Sequence, residues 1–144
     1  MTLPLILQLK AISSLEDENQ LKQLQSILDA IKPEECNSYI FTALFDIFER
    51  FPESDGYGLC WSILHLLEAC KGYEPFLIAS VLRKPVEFNV LMINRQINGG
   101  IKDIDGQNLF ELLQSVASND KATSDAKDWA NHFINFQLKG GINA

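Results

Sequence analysis

Apolar residues recur along this chain at the three- and four-residue intervals of a helix surface from one end to the other, and no segment reads as a strand or a hairpin. Eight helices are predicted. Leu5, Ile6, Leu9 and Ile12 mark the first, and Ser13 with Glu16 is read as a capping box before a second whose apolar face is Leu21, Leu24, Ile27, Leu28 and Ile31. Pro33 suits the first turn of a third helix with the stripe Ile40, Phe41, Leu44, Ile47, Phe48 and Phe51. After the breaker at residues 51–56, a fourth helix runs to about Cys70. Leu59, Cys60, Ile63, Leu66, Leu67 and Cys70 cover over half its girth and predict a central position. A fifth and a sixth helix span residues 75–83 and 85–98, each begun by a proline, and Gly99-Gly100 closes the sixth. Asp105 is read as the cap of a seventh, with Leu109, Leu112, Leu113 and Val116 inward. Ser124 starts an eighth, with the face Ala126, Trp129, Ala130, Phe133 and Gln137.

Short helices joined by short turns predict an all-α fold of antiparallel hairpins, arranged as a HEAT-like right-handed helical stack or as an irregular helical bundle. With 144 residues, 47% apolar and 22% charged, the chain is expected to form a single domain over residues 1–138, with residues 139–144 frayed. The opening Met-Thr-Leu-Pro-Leu-Ile-Leu-Gln-Leu lacks a basic start and is too short to span a bilayer, so neither secretion nor membrane insertion is expected. Cys36, Cys60 and Cys70 form an odd set without a paired C-x-x-C. Cys60 and Cys70 fall in apolar stripes as reduced, buried thiols do, which suits the cytoplasm.

Charge narrows the range of partners. The net charge is -7, and ten acids against four bases up to Asp55 concentrate the acidity in the N-terminal part. Such a chain repels nucleic acid and favours a basic protein partner. Asp46, Glu49 and Glu53 follow i, i+3 and i+7 spacing opposite the core stripe of the third helix, with Asp55 just beyond, and are expected to share an exposed face.

Trp61, His65 and Glu68 fall on one face of the fourth helix. Two readings stay open: an aromatic anchor rimmed by polar groups, or an indole packed on the next hairpin with His65 bonded to Glu68. Arg95, between Asn94 and Asn98, is either a rim residue of a partner site or a structural pair for Glu68 or Asp55. No metal site, cofactor or catalytic set is expected: His65-x-x-Glu68 lacks further ligands, Cys60 and Cys70 lie five positions either side of His65 and point away from it, and no phosphate loop is present.

Gly58-x-x-Trp61-x-x-x-His65-x-x-Glu68, then Ser80-x-x-Arg83-x-Pro85 and Met92-x-Asn94-Arg95, resembles the small helical immunity proteins of bacterial polymorphic toxin and contact-dependent inhibition systems, over residues 55–98. The resemblance implies a cytoplasmic, non-catalytic protein that binds one toxin domain and blocks it. An adaptor or regulatory subunit on a helical-repeat frame is the alternative, and an enzyme using the face at His65 and Glu68 the third.

Overall fold

The computed structural model describes residues 3–141. Its helices are α1 Leu3–Ala11, α2 Glu18–Ala30, α3 Ser38–Arg50, α4 Leu59–Ala69, α5 Glu74–Arg83, α6 Glu87–Asn98, α7 Leu109–Ala117 and α8 Ser124–Leu138. Short 3₁₀ turns lie at Pro33–Glu35 and Gly56–Gly58, and two-residue strands β1 Asp103–Ile104 and β2 Gln107–Asn108 pair antiparallel. Among the described residues the fold is therefore all-helical but for one small hairpin. No helix among the described residues is long and apolar enough to cross a membrane. Of the expected frayed tail, Lys139 caps α8 through its N–H, Gly141 is buried, and residues 142–144 lie outside the described residues. By its contacts the chain divides into two compact units, Met1–Phe76 and Leu77–Ala144.

In the first unit, α1 packs on α2 and α3, and α4 packs on α2 and α3. Consecutive helices thus pair, and like members of the two pairs face each other. The most enclosed helix is α3 rather than α4: Ile40, Phe41, Ala43, Leu44, Phe45, Ile47 and Phe48 are all buried, too many for a single stripe. Phe45 and Phe48 meet edge to face at 6.1 Å, and Phe41 packs on Phe76 at 5.3 Å.

Two helix starts differ from expectation. Asp17, not Ser13, caps α2, accepting from the Gln20 amide at 3.0 Å. The Gln20 side chain reaches back past the cap to the Ser13 amide at 2.6 Å, so the box is displaced by a turn. Pro33 opens only the 3₁₀ turn, and α3 waits for Asn37, whose side chain accepts from the Tyr39 and Ile40 amides at 3.0 Å each. An asparagine that can take two free amides outcompetes a proline that can take none.

Cys36 and Cys70 form a disulfide across 34 positions, which corrects the reading of Cys70 as a reduced thiol. Cys60 is buried and takes no part in the disulfide, as expected, and its thiol donates to the Ser54 carbonyl at 3.6 Å.

In the second unit, α6 packs on α7 and α8, which pack on each other. Asp105 does not cap α7. With Gly106 it makes the turn of the β1–β2 hairpin, at φ 48° and 83°, and Asn108 caps α7 instead by accepting from the Glu111 amide at 2.8 Å. Consecutive positive φ values are what an Asp-Gly pair adopts in a two-residue hairpin turn, so the signal stood in the sequence.

Asn89, fully buried, organises the turn between α5 and α6. Its carbonyl oxygen accepts from the Val86 amide at 2.8 Å, while its amide donates to Ser80 Oγ at 2.9 Å and to the Lys84 carbonyl at 3.0 Å. Truncation would strand those buried groups. Asn89→Ala is expected to lower unfolding stability by about 2–4 kcal/mol, read from urea midpoints, and a loss under about 1 kcal/mol would mean the turn holds without the amide.

Gln137 ties α8 to α6 in the same manner, its amide donating at 2.8 Å to both Asn94 and Asn98. The polar residues beside Arg95 are thus used inside the unit. Trp129, expected on the inward face of α8, is 40% exposed. The stripe that faces inward is Ala126, Ala130 and Phe133, whose small members let the helices approach, and Trp129 lies about 100° around the helix from Ala130.

Candidate functional site

Of the residues read as a site, those on α3, the connection after it and α4 lie in the first unit, whereas Arg95 lies on α6 of the second. The connection is tightly built. Ser54 Oγ donates to Glu16 at 2.9 Å and accepts from the Gly56 amide at 3.1 Å, fastening the turn to the loop that follows α1. Asp55 caps the 3₁₀ turn through its carboxylate, which accepts from the Tyr57 amide at 3.0 Å. Its carbonyl accepts from the Gly58 and Cys60 amides at 3.1 and 3.0 Å.

Gly56, Tyr57 and Gly58 follow with φ 60°, 54° and 97°. Gly56 is buried, and a Cβ there would meet Leu59 at 3.5 Å and Leu15 at 3.6 Å besides carrying the strain of positive φ. The result is a reversal that starts α4 with Cys60, Ile63, Leu64 and Leu67 inward.

That register turns Trp61 and His65 outward. Trp61 is 41% exposed, His65 is exposed, and their rings lie 6.3 Å apart. Glu68, one turn on, is half-buried. The indole is therefore a surface residue on α4 and not part of the apolar core.

The acidic residues do not behave as one stripe. α3 ends at Arg50, so Glu53 leaves the helical i+7 position for an exposed turn, and Asp55 is engaged as a cap. Glu49 stays half-buried on α3. Asp46 is occupied: its carboxylate holds Arg50 Nε at 2.7 Å.

Arg50 was not singled out by sequence reasoning, yet its guanidinium is the most connected cation of this unit. It donates from Nη2 to the Leu9 carbonyl at 2.9 Å and from Nη1 to the Ile12 carbonyl, and it lies 5.1 Å from the centre of the Phe51 ring. A cation on the last carbonyls of α1 meets the negative end of that helix and ties α3 to it. The legible trace was the Asp46–Arg50 spacing of i, i+4; the carbonyl partners are 38 and 41 positions away and left none.

Around the same connection is an open hollow of about 570 Å³, lined by Ser13, Glu16, Arg50, Pro52, Glu53 and Ser54 among others. Among the described residues no group of histidines, cysteines and carboxylates could hold a metal ion. Arg95 is exposed on α6.

The second unit shows an aromatic group around Trp129, which sequence reasoning placed inside. Trp129 stacks on Phe133 at 5.4 Å, and His132 stands edge-on to both at 5.5 and 5.8 Å, with Phe136 a turn further, 37% exposed. No family model, curated protein or solved structure matches this chain.

Proposed function

We propose that this protein is a non-catalytic binding module, an immunity protein that neutralises a basic bacterial toxin domain in the cytoplasm by covering it. The observation that carries the reading is how charge divides. Residues 1–76 hold twelve acids and five bases, the whole net charge of -7, whereas residues 77–144 hold seven of each. The charged unit is also the one that exposes Trp61 and His65. A negative field that draws in a basic partner, with an indole to desolvate on contact, is how such an interface gains both speed and residence time. The packing of α1 on α3 and α2 on α4 supports a HEAT-like arrangement of the helix pairs, a build that offers broad faces to protein partners. Cys60 is buried and Cys70 is bonded to Cys36, so neither thiol supports nucleophilic chemistry beside His65.

Co-expression with a toxin encoded beside this protein should restore growth, and failure with every neighbouring toxin rejects the reading. The acid that steers encounter is better sought at Glu53, exposed in the turn after α3, than at Asp46 and Asp55, which the fold already uses. Glu53→Lys is expected to slow association by about three-fold at low salt, flatten its salt dependence, and leave the urea midpoint nearly unchanged. Unaltered association rates would move the interface off this surface.

A second reading rests on the exposed aromatic group of α8. An adaptor needs two faces, and Trp129 with Phe136 supplies one on the neutral unit. Pull-down from the native host in which Trp129→Ala and Trp61→Ala each lose a different protein would favour the adaptor.

A further inference from the structure

We infer that the exposed aromatic residues at the start of α4, Tyr57 and Trp61, form a seat for an arginine side chain presented by the protein partner. This rests on the binding role proposed above and specifies the chemistry of its contact.

Among the described residues Tyr57 is the most exposed of the large apolar and aromatic side chains, at 75%. It is also a non-glycine residue held at φ 54°, a conformation that costs roughly 1 kcal/mol or more for a side chain of this kind. Glycines stand on both sides, and the Asp55 carboxylate clamps the Tyr57 amide at 3.0 Å. Nothing in the packing of the unit needs a phenol there, since the ring is mostly in solvent and glycine would suit the backbone better. Trp61 follows in the first turn of α4, 41% exposed, with the His65 ring 6.3 Å away.

The charges around these rings select the occupant. Between Arg50 and Lys71 the chain carries Glu53, Asp55 and Glu68 and no lysine or arginine. Glu53 and Asp55 are exposed. Aromatic faces attract a cation through their quadrupole, and neighbouring carboxylates add a second attraction of the same sign. A purely apolar partner gains only contact with the rings, and an anionic one is repelled by ring faces and carboxylates alike. Guanidinium is favoured over ammonium because its flat, weakly hydrated plane stacks on indole and phenol while its edge donates to a carboxylate.

The test uses Trp129→Phe, which leaves Trp61 as the single indole, titrated at low salt with hexa-arginine and separately with hexa-lysine. Trp61 emission should respond saturably to both, with the arginine peptide bound about three- to ten-fold more tightly. Tyr57→Gly should abolish that preference while the urea midpoint holds or rises, because the backbone there suits glycine. If the Trp129→Phe chain does not fold, the indole N–H resonance of Trp61 in the unaltered protein reports the same titration. Equal affinity for the two peptides, absence of binding, or a preference that survives Tyr57→Gly each overturns the inference. Toxin neutralisation that persists while the peptides are not distinguished removes this inference alone. Distinguished peptides without any neutralised toxin remove the proposed function and leave the arginine seat standing.

Discussion

Arg50→Ala is expected to lower the unfolding free energy by about 3 kcal/mol, the loss of two charge-assisted hydrogen bonds to main-chain carbonyls, reduced because the side chain is partly exposed. The carbonyls of Leu9 and Ile12 end α1 beside side chains that are 0% and 2% exposed, so water does not readily replace the guanidinium. Arg50→Lys should recover less than half of the loss, since one ammonium cannot meet two carbonyls and Asp46 in the planar fork that arginine supplies. Asp46→Asn should cost roughly 1 kcal/mol, because it orients the fork without bearing on α1 itself. Urea unfolding of the three variants, run together, checks the ranking. An alanine variant within about 1 kcal/mol of the parent would show that α1 docks through its apolar face alone.

Reduction of the Cys36–Cys70 bond is expected to have a comparable effect on stability and a further effect on binding. The bond closes a loop of 34 positions, for which constraint of the unfolded chain contributes about 3–4 kcal/mol. That loop encloses α3 and α4 and with them every candidate residue from Asp46 to Glu68. Cys36→Ser should therefore lower the melting midpoint by about 6–15 °C, and a reducing agent should do the same to the parent but nothing more to the variant. Cys60→Ala, which leaves the bond intact, is the control. Alkylation and intact mass of protein drawn from the cytoplasm test the bond in its proposed setting, where the thiol pool opposes it. Recovery of Cys36 and Cys70 as free thiols, with full toxin binding, would show that the surface does not depend on the clasp.

Much of the architecture was legible because it follows from local periodicity. The inward faces of α2, α3 and α7 read correctly, as did the prolines that open the regions of α5 and α6 and the glycines after Asn98. What was misread has a common cause. Helix starts depend on which nearby side chain wins the free amides, and at α2, α3 and α7 a better acceptor, Asp17, Asn37 or Asn108, stood a few positions from the expected one. Asp105-Gly106 is different, since its turn signal was present but was read as a cap in a chain otherwise all helix.

For the candidate site, the spacing of Trp61 and His65 correctly placed them on one face of α4, while their exposure depended on how α4 was turned by the Gly56–Gly58 reversal. Glu53 shows the same dependence in reverse, because the end of α3 at Arg50 removed it from the helical stripe. The sequence by itself determined helical class, the apolar faces and the confinement of the net negative charge to the first half, because these depend only on residue type and short spacing. Only the tertiary structure decided that Arg50 is tied to α1, that Cys36 meets Cys70, and that Tyr57 and Trp61 remain in solvent. Those outcomes depend on atoms dozens of positions apart or on the rotation of a helix about its axis, and no local pattern encodes either.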